Sequence, residues 1–298
     1  MKIAVIDLGT NTFHLIIAES NGEISFKTNE PVKLGEDITK DNLIIPRAFE
    51  RGINCLKQFK AIADQHGVEQ MKAVATSGVR SAKNGLDFVN EAKMQAGIEI
   101  EVIDGEEEAE YIYKGVKWSG AIEGKSLIMD IGGGSTEFIL CDENEMVWKK
   151  SYNIGAARLM QKFFKSDPIN QADQQHIIDH LTDELTALKA ICKEYQPQTL
   201  IGSAGAFETF AGMINSKLSI EHIATAGIPL QAYQELTHQL IHSTHEERAA
   251  MSGLIPLRVD MIVMASILTN EVIAELGIKQ LKLSTYDLKM GILATLIK

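Results

Sequence analysis

The sequence predicts an α/β protein of two related halves, each a mixed β-sheet covered by helices. Two segments, 6–12 and 129–137, carry this prediction. In both, an apolar strand delivers an aspartate into a loop of glycine and hydroxyl residues, and the chain then returns in a second apolar run. Such a loop forms the turn of a β-hairpin and can wrap around a phosphate. Strand and helix patterns follow in the same order in both halves, so we expect one anion in a crevice between them.

The first half is predicted to alternate strands with helices. A hairpin turn is expected at Asn21 and Gly22, because both residues tolerate the positive φ that such turns need. Residues 46–66 carry apolar side chains at spacings of three and four, which predicts an amphipathic helix that begins at Pro46 and stops at Gly67. The other elements predicted here are strands 3–7, 12–19, 23–28, 71–76 and 99–103 and helices 86–96 and 106–115, the last capped by Asp104.

The second half repeats this order from residue 125. One long helix is predicted over 171–195, because apolar residues recur along one face, and Pro197 ends it. The last third is predicted to be helical with a single strand at 280–283. The remaining predicted elements are strands 126–130, 137–141, 146–152 and 199–201, a turn at 142–144, a helix that begins after 202–205 and a final helix over 287–297.

Composition and charge exclude several classes of protein. The net charge is −11 and there is no run of Lys and Arg, so a double-stranded nucleic acid partner is not expected. No apolar run reaches the ~18 residues of a membrane span. Three widely separated cysteines, Cys55, Cys141 and Cys192, and an amino terminus that starts with a strand pattern rather than a signal peptide predict a cytoplasmic location.

The second loop is the more specific of the two candidate phosphate sites. Its successive N–H groups can form an anion nest, and three glycines are more than a hairpin turn requires. An ordinary tight turn is the alternative for either loop, and the pairing of the two makes that alternative weaker. The predicted phosphate-binding residues are Gly132, Gly133, Gly134, Ser135 and Thr136 in this loop and Gly9, Thr10, Asn11 and Thr12 in the first loop.

Acidic residues stand beside both loops. Asp7 and Asp130 lie at the carboxyl ends of apolar strands, where carboxylates repel a phosphate unless a cation bridges them. Mg²⁺ suits this role, since it binds one or two carboxylates together with substrate oxygens. Glu137 follows Asp130 by seven residues and can reach the same ion. The alternatives are aspartates that bond to their own turns and a solvated strand residue at Glu137.

Further candidates are distributed along both halves. Ser203 and Gly205, at a strand-to-helix junction, can present an N–H group to phosphate at a helix N-terminus, with a plain N-cap as the alternative. Arg80 and Arg158 can clamp phosphate oxygens in a bidentate manner, or lie on the surface. The acidic run 104–110 is explained by the preference of acidic side chains for a helix N-terminus, and a catalytic role for one of its members needs other support.

The motifs D-L-G-T-N-T-F-H at 7–14 and D-I-G-G-G-S-T-E at 130–137 resemble those of the exopolyphosphatase and guanosine pentaphosphate phosphohydrolase family, which belongs to the actin, Hsp70 and sugar-kinase superfold. The resemblance implies two actin-like (ribonuclease H-like) domains with an interdomain cleft. It places domain I at 1–120 with the C-terminal helix 285–298, and domain II at 121–284. Further segments similar to the family are 75–84, 105–109, 153–159, 202–205, 247–248, 258–260 and 284.

The resemblance also implies roles and an activity. Glu108 aligns with the catalytic base that activates water, and Asp130 and Glu137 align with residues that hold the divalent metal and the terminal phosphate. The implied reaction is Mg²⁺-dependent hydrolysis of the terminal phosphoanhydride of inorganic polyphosphate, with release of orthophosphate. Two positions depart from the family: Lys289 stands where arginine is frequent, and Ala265 where glycine is frequent.

Three alternatives remain open. The first is hydrolysis of guanosine pentaphosphate (pppGpp), a stringent-response nucleotide, which no residue in the sequence separates from polyphosphate hydrolysis. The second is a non-catalytic sensor of nucleotide or polyphosphate that uses cleft closure as a switch; the intact set of Glu108, Asp130 and Glu137 argues against it. A sugar kinase is disfavoured, since no sugar-binding aspartate region is evident. A homodimer is the oligomer considered.

Overall fold

The computed structural model describes residues 1–203 and 205–297, apart from the side chain of Thr39. Ala204, within the predicted loop 202–205, and Lys298, the last residue of predicted domain I, lie outside the described residues. The chain divides into two compact units, Met1–Gly115 with Leu288–Lys298 and Val116–Asp287. The domain boundaries drawn from the sequence, at 120/121 and 284/285, stay a prediction.

The first unit is built on a five-stranded mixed sheet with the order β3-β2-β1-β4-β5. The first three strands form an antiparallel meander, and β4 and β5 run parallel to β1. β1 is buried along most of its length, because a central strand covered on both faces is apolar at nearly every position. The strands are β1 Lys2–Leu8, β2 Phe13–Glu19, β3 Ile24–Glu30, β4 Gln70–Ala75 and β5 Ile100–Val102.

Helices cover this sheet. The amphipathic helix predicted over 46–66 is confirmed, with Pro46 in its first turn and Gly67 in the left-handed region at φ 67° just beyond its end. In the last helix, a Cβ at Gly291 would overlap the carbonyl oxygen of Tyr111, which lies in the helix Gly105–Ser119. These two helices therefore approach each other as closely as glycine allows. The helices are α1 Ile38–Asp41, α2 Pro46–Gln65, α3 Ser77–Arg80, α4 Gly85–Ala96, α5 Gly105–Ser119 (its last turn within the second unit) and, at the end of the chain, α13 Leu288–Leu296.

The turn after β2 differs in detail from the prediction. Gly22 has positive φ, at 87°, but Asn21 does not. The Asn21 side chain instead accepts a hydrogen bond from the backbone N–H of Glu23 at 3.0 Å. A β-bulge in the β2–β3 pair, between Ile17 and Ala18, also shifts the register by one residue near this turn. The hairpin turn predicted at Asn21 and Gly22 is therefore present, with positive φ at Gly22 and not at Asn21.

The second unit contains a six-stranded mixed sheet with the order β10-β11-β9-β6-β7-β8. Strands β6, β7 and β8 form an antiparallel meander, and β9 runs parallel to β6 and β11 parallel to β9. Five of its strands repeat the order of the first sheet, and β10, which the sequence did not predict, adds an antiparallel edge. The strands are β6 Ser126–Ile131, β7 Thr136–Cys141, β8 Met146–Tyr152, β9 Thr199–Ser203, β10 Thr225–Ile228 and β11 Gln280–Ser284.

The long helix predicted over 171–195 is two helices that meet at Leu185. The hydroxyl of Thr186 donates to the carbonyl oxygens of Asp183 (2.9 Å) and Thr182 (3.3 Å), the kind of local bond that bends or interrupts a helix. The sequence also missed α6. The helices of this unit are α6 Ala156–Phe163, α7 Gln171–Glu184, α8 Thr186–Tyr195, α9 Gly205–Ile214, α10 Leu230–His242, α11 His245–Ala249 and α12 Met261–Leu276, with 3₁₀ turns at Ile220–His222 and Pro256–Arg258.

The predicted fold class, two mixed sheets each flanked by helices, is confirmed. The second sheet repeats a detail of the first, since the β7–β8 pair also carries a bulge, between Leu140 and Cys141, next to its turn. None of the described helices combines the length and the apolar character that a membrane span requires.

Candidate active site

The first loop joins β1 to β2 and is closed by its own backbone. The N–H of Gly9 donates to the carbonyl oxygen of Thr12 at 3.1 Å, and a Cβ at Gly9 would lie 2.8 Å from that oxygen. The carbonyl groups of Thr10 and Asn11, inside the loop, face the segment 33–35. Lys33 N–H donates to Asn11 O at 2.7 Å, and Gly35 N–H donates to Thr10 O at 2.8 Å.

These bonds set the direction in which the loop amides point. In a trans peptide the C=O of one residue and the N–H of the next point in opposite directions. Because the carbonyl groups of Thr10 and Asn11 face segment 33–35, the N–H groups of Asn11 and Thr12 point to the other side of the loop. The first loop therefore presents the N–H groups of Asn11 and Thr12 on the side away from segment 33–35, as an anion site requires.

The second loop, between β6 and β7, is closed in the same way. The N–H of Gly132 donates to the carbonyl oxygen of Ser135 at 3.0 Å, three residues on, as in the first loop. Here the N-terminal turn of α6 takes the place of segment 33–35. Its Ala156 N–H donates to Gly132 O at 2.9 Å, and Arg158 N–H donates to Gly133 O at 3.0 Å.

Arg158 completes this attachment. Its Nε donates to the carbonyl oxygen of Gly134 at 3.0 Å, so three successive carbonyl groups of the loop are held by α6. Burial lowers the pKa of the Arg158 guanidinium from its ordinary value. The Arg158 side chain is half-buried and its Nε holds the backbone of the loop, so it is not a free surface residue. Its predicted contact with phosphate stays a prediction.

The amides of the second loop consequently point away from α6. By the same peptide geometry, the N–H groups of Gly133, Gly134 and Ser135 form a row on the opposite side. Among the described residues, none of these three N–H groups donates a hydrogen bond to a backbone carbonyl group in a turn or a loop. Thr136 differs, since its buried hydroxyl donates to the carbonyl oxygen of Ile154 at 3.2 Å and is not turned outward as a donor to phosphate.

Two carboxylates lie at the base of this loop. Asp130 on β6 and Glu137 on β7 are directly opposite each other in the antiparallel pair, so their side chains share one face of the sheet with Cβ atoms about 5 Å apart. Glu137 is 1% exposed, so it is not the solvated strand residue considered as the alternative. The hydroxyl of Ser151, opposite Glu137 on β8, donates to Glu137 Oε1 at 2.6 Å.

Ser203 lies on the other flank of Asp130, opposite it in the parallel β6–β9 pair. Its hydroxyl is buried, and among the described residues it has no hydrogen-bond partner. Gly205 opens α9 with a φ of 39°, in the left-handed region that favours glycine. Asp130, the glycine loop, Ser203 and Gly205 thus all lie at the carboxyl edge of the second sheet, where α/β proteins bind ligands.

The first unit has an equivalent arrangement around Asp7. This residue is opposite His14 in the β1–β2 pair, so His14 occupies the position that Glu137 has in the second unit. The short helix α3, which follows β4, packs directly on the first loop: a Cβ at Gly78 would lie 3.0 Å from Thr10 Cα. His14 was not predicted as a site residue, although it follows Asp7 by seven residues as Glu137 follows Asp130.

Glu108 lies in the first turn of α5. Asp104 caps this helix as predicted, since its Oδ1 accepts hydrogen bonds from the N–H groups of Glu106 (2.9 Å) and Glu107 (2.8 Å). Glu108 is 7% exposed, unlike a carboxylate placed at the helix end only for its charge.

Arg80 contacts Glu108 directly. Its Nη1 donates to Glu108 Oε2 and to the carbonyl oxygen of Ile103, both at 2.9 Å. β1, β4 and β5 are parallel, so Arg80 after β4 and Glu108 after β5 lie at the same edge of the sheet as the first loop. Arg80 is thus a partner of the predicted base, and its predicted contact with phosphate stays a prediction.

The carboxylates at the base of the second loop are candidate ligands for a metal ion. The described parts of the chain contain no group of three or more His, Cys, Asp and Glu residues that could hold one. Asp130 and Glu137 are a pair, with the Ser203 hydroxyl beside them, and such a pair fits Mg²⁺, which takes one or two carboxylates and completes its shell with water and phosphate oxygens. Asp7 as a third ligand stays a prediction.

Comparison with known proteins agrees with this geometry. The sequence profile of the Ppx/GppA phosphatase family matches residues 15–298. The crystal structure of an exopolyphosphatase from Cytophaga hutchinsonii is 37% identical, with a TM-score of 0.96 over 100% of this chain and 98% of that one. Exopolyphosphatase 2 of Mycobacterium tuberculosis is 30% identical over 99% of this chain and 98% of its own length.

A third relative carries another name. The guanosine-5'-triphosphate,3'-diphosphate pyrophosphatase of Aeromonas hydrophila is 27% identical over 99% of this chain, which spans 59% of that protein. Phosphatases of this family generally depend on a divalent cation. The chain belongs to the Ppx/GppA phosphatase family, whose members are hydrolases of phosphoanhydrides.

Proposed function

We propose that this protein removes the terminal phosphate of inorganic polyphosphate and releases orthophosphate. The observation that carries the proposal is the second loop, where α6 holds three carbonyl groups and turns three amides to the other side, above a pair of carboxylates. Phosphoryl transfer needs positioned donors and neutralised charge more than covalent chemistry. Two relatives that are matched over nearly their whole length are named exopolyphosphatases, which supports the choice of substrate.

Groups of the chain itself have the following roles in this reaction. Amides of the two loops donate to phosphate oxygens, which favours the charge that develops on them. Glu108 accepts the proton of the attacking water, and Arg80 fixes the Glu108 carboxylate through the 2.9 Å bond. Asp130 and Glu137 would hold Mg²⁺, which when bound neutralises phosphate charge. Ser203 and Gly205 add a hydroxyl and an amide at the start of α9.

Hydrolysis of pppGpp is the second candidate, because the Aeromonas relative bears that name. The two substrates share a terminal phosphoanhydride and differ in what lies beyond it. Rates of orthophosphate release from polyphosphate and from pppGpp, measured on the same preparation, decide between them. A cytoplasmic location and a homodimer belong to the same proposal.

The decisive experiment is orthophosphate release from polyphosphate with Mg²⁺ by Glu108→Gln. We expect kcat to fall by about 10²–10⁴-fold, since the amide cannot accept the proton. Glu107→Gln is the matched control: it is the adjacent residue, exposed in the same helical turn, and we expect its kcat to stay near that of the wild type. Wild-type kcat in Glu108→Gln, or tight binding of polyphosphate by the wild type with no release, would contradict the proposal.

A further inference from the structure

The hydroxyl of Ser151 is bonded to a buried carboxylate. Ser151 on β8 lies directly opposite Glu137 on β7, and its Oγ is 2.6 Å from Glu137 Oε1. Glu137 is 1% exposed. A hydroxyl that donates to an ionised carboxylate forms a short, charge-assisted bond, which is stronger than a bond between neutral groups. This contact belongs to the strand register of the sheet and not to the phosphate loop.

The bond restricts how the Glu137 carboxylate can turn. The torsion at the end of a glutamate side chain is broad, so without a partner the carboxylate presents either oxygen over a wide range of angles. With Oε1 held by the hydroxyl on β8, rotation of the carboxylate about this torsion is restricted. On the other side of β7 lies β6, whose Asp130 is the cross-strand neighbour of Glu137.

The first sheet has no such arrangement. At the equivalent positions it carries His14 on β2, opposite Asp7, and Asn29 on β3, opposite His14. The succession of aspartate, glutamate and serine on three adjacent strands therefore occurs only in the second of the two sheets, as far as the described residues show. The Ser151 hydroxyl is found in the sheet that carries the second carboxylate, Glu137, which indicates that it serves the pair of carboxylates.

We propose that Ser151 is a positioning residue that fixes the Glu137 carboxylate for a divalent cation shared with Asp130. This inference rests on the proposed role of Asp130 and Glu137 in holding Mg²⁺. Groups that bond to metal ligands from behind set the ligand's orientation, and their loss weakens metal affinity by about 10–100-fold.

Metal binding without substrate tests this directly. Mn²⁺, a spectroscopic substitute for Mg²⁺, is titrated into the wild type, Ser151→Ala and Ser151→Thr, and free Mn²⁺ is measured by electron paramagnetic resonance. We expect Kd to rise about 10–100-fold in Ser151→Ala and much less in Ser151→Thr, which keeps the hydroxyl. At saturating metal, kcat of Ser151→Ala should recover to near the wild-type value.

Ser126→Ala controls for the loss of any buried hydroxyl in this sheet. Ser126 is fully buried on β6, and its Oγ donates to carbonyl oxygens at the start of that strand rather than to a carboxylate. It should lower Tm about as much as Ser151→Ala does and leave the Mn²⁺ Kd unchanged. Equal Kd values for folded Ser151→Ala and the wild type, or no Mn²⁺ binding by the wild type, would overturn the inference. Weakened binding in Ser151→Ala together with no phosphate release by the wild type would support it and refute the proposed function.

Discussion

Substitution of Gly155 by alanine tests whether the second loop binds phosphate through its backbone. Gly155 precedes α6 with φ −65° and ψ 156°, a conformation open to any residue, so the backbone itself tolerates alanine. The added Cβ would lie 2.5 Å from Gly133 C and from Gly134 N. The perturbation is therefore steric, and it falls on the peptide unit that carries one of the three outward amides.

The size of the effect follows from that distance. Ordinary contact begins at 3.4 Å, so the loop and α6 must separate by about 0.9 Å. A misplacement of about 1 Å at a reacting centre costs about 10²-fold in rate, and a crowded methyl group costs about 1–3 kcal/mol of stability. We therefore expect Gly155→Ala to remain folded while kcat/KM for polyphosphate falls about 10²-fold.

The assay is the initial rate of orthophosphate release over a range of polyphosphate concentrations, with Tm measured on the same samples. Gly212→Ala is the control, because a Cβ there meets only Ile220 Cγ1, at 4.0 Å, and a helix interior gains about 0.5–1 kcal/mol from alanine. A folded Gly155→Ala whose kcat/KM is within twofold of the wild type would show that the loop amides do not bind the substrate.

Two further predictions concern charged side chains of the first unit. Arg80→Lys keeps the charge but loses the planar guanidinium, whose Nη1 donates to both Ile103 O and Glu108 Oε2. We expect kcat to fall at least about tenfold in steady-state assays, and an unchanged kcat would show that Arg80 does not position the base. The hydrogen bond from Arg51 holds the pKa of Glu36 below its ordinary 4.5, so this pair stabilises the fold above about pH 4.5 and the contribution is lost as the pH falls through the folded-state pKa. Urea unfolding should show Glu36→Gln less stable than the wild type at pH 7, by about 0.2–1 kcal/mol, and equal to it near pH ~3; a constant difference at both pH values would contradict the assignment.

Local patterns made much of the fold predictable. The two aspartate–glycine loops and the strands around them were found because hairpins and caps depend on residues close in sequence, as the Asp104 cap of α5 illustrates. The break at Leu185 was not found, since the apolar face continues across it and only the Thr186 hydroxyl interrupts the helix. The function of Arg158 was missed because its partner, Gly134 O, is brought to it by tertiary packing.

The pairing of Ser151 with Glu137 was hidden for a different reason. The turn sets Cys141 opposite Met146, and an uninterrupted ladder from there would place Lys150 opposite Glu137. The bulge at Leu140 and Cys141 moves the register by one residue and brings Ser151 into that position. A bulge leaves no reliable mark in the sequence, so the contact appears only in the structure.

The same bulges act on the outer borders of the two sheets. β3 and β8 are the terminal strands of the first and second sheets, and each has a bulge next to its turn. An edge strand leaves a row of backbone N–H and C=O groups that can pair with a strand of another molecule, and a bulge twists this row so that it pairs less well. These strands also carry lysines, whose charge opposes edge-to-edge pairing with another molecule: Lys27, Lys149 and Lys150. The irregularity that aligns Ser151 with Glu137 therefore also makes the β8 edge of the second sheet a poorer template for pairing with a strand of another molecule.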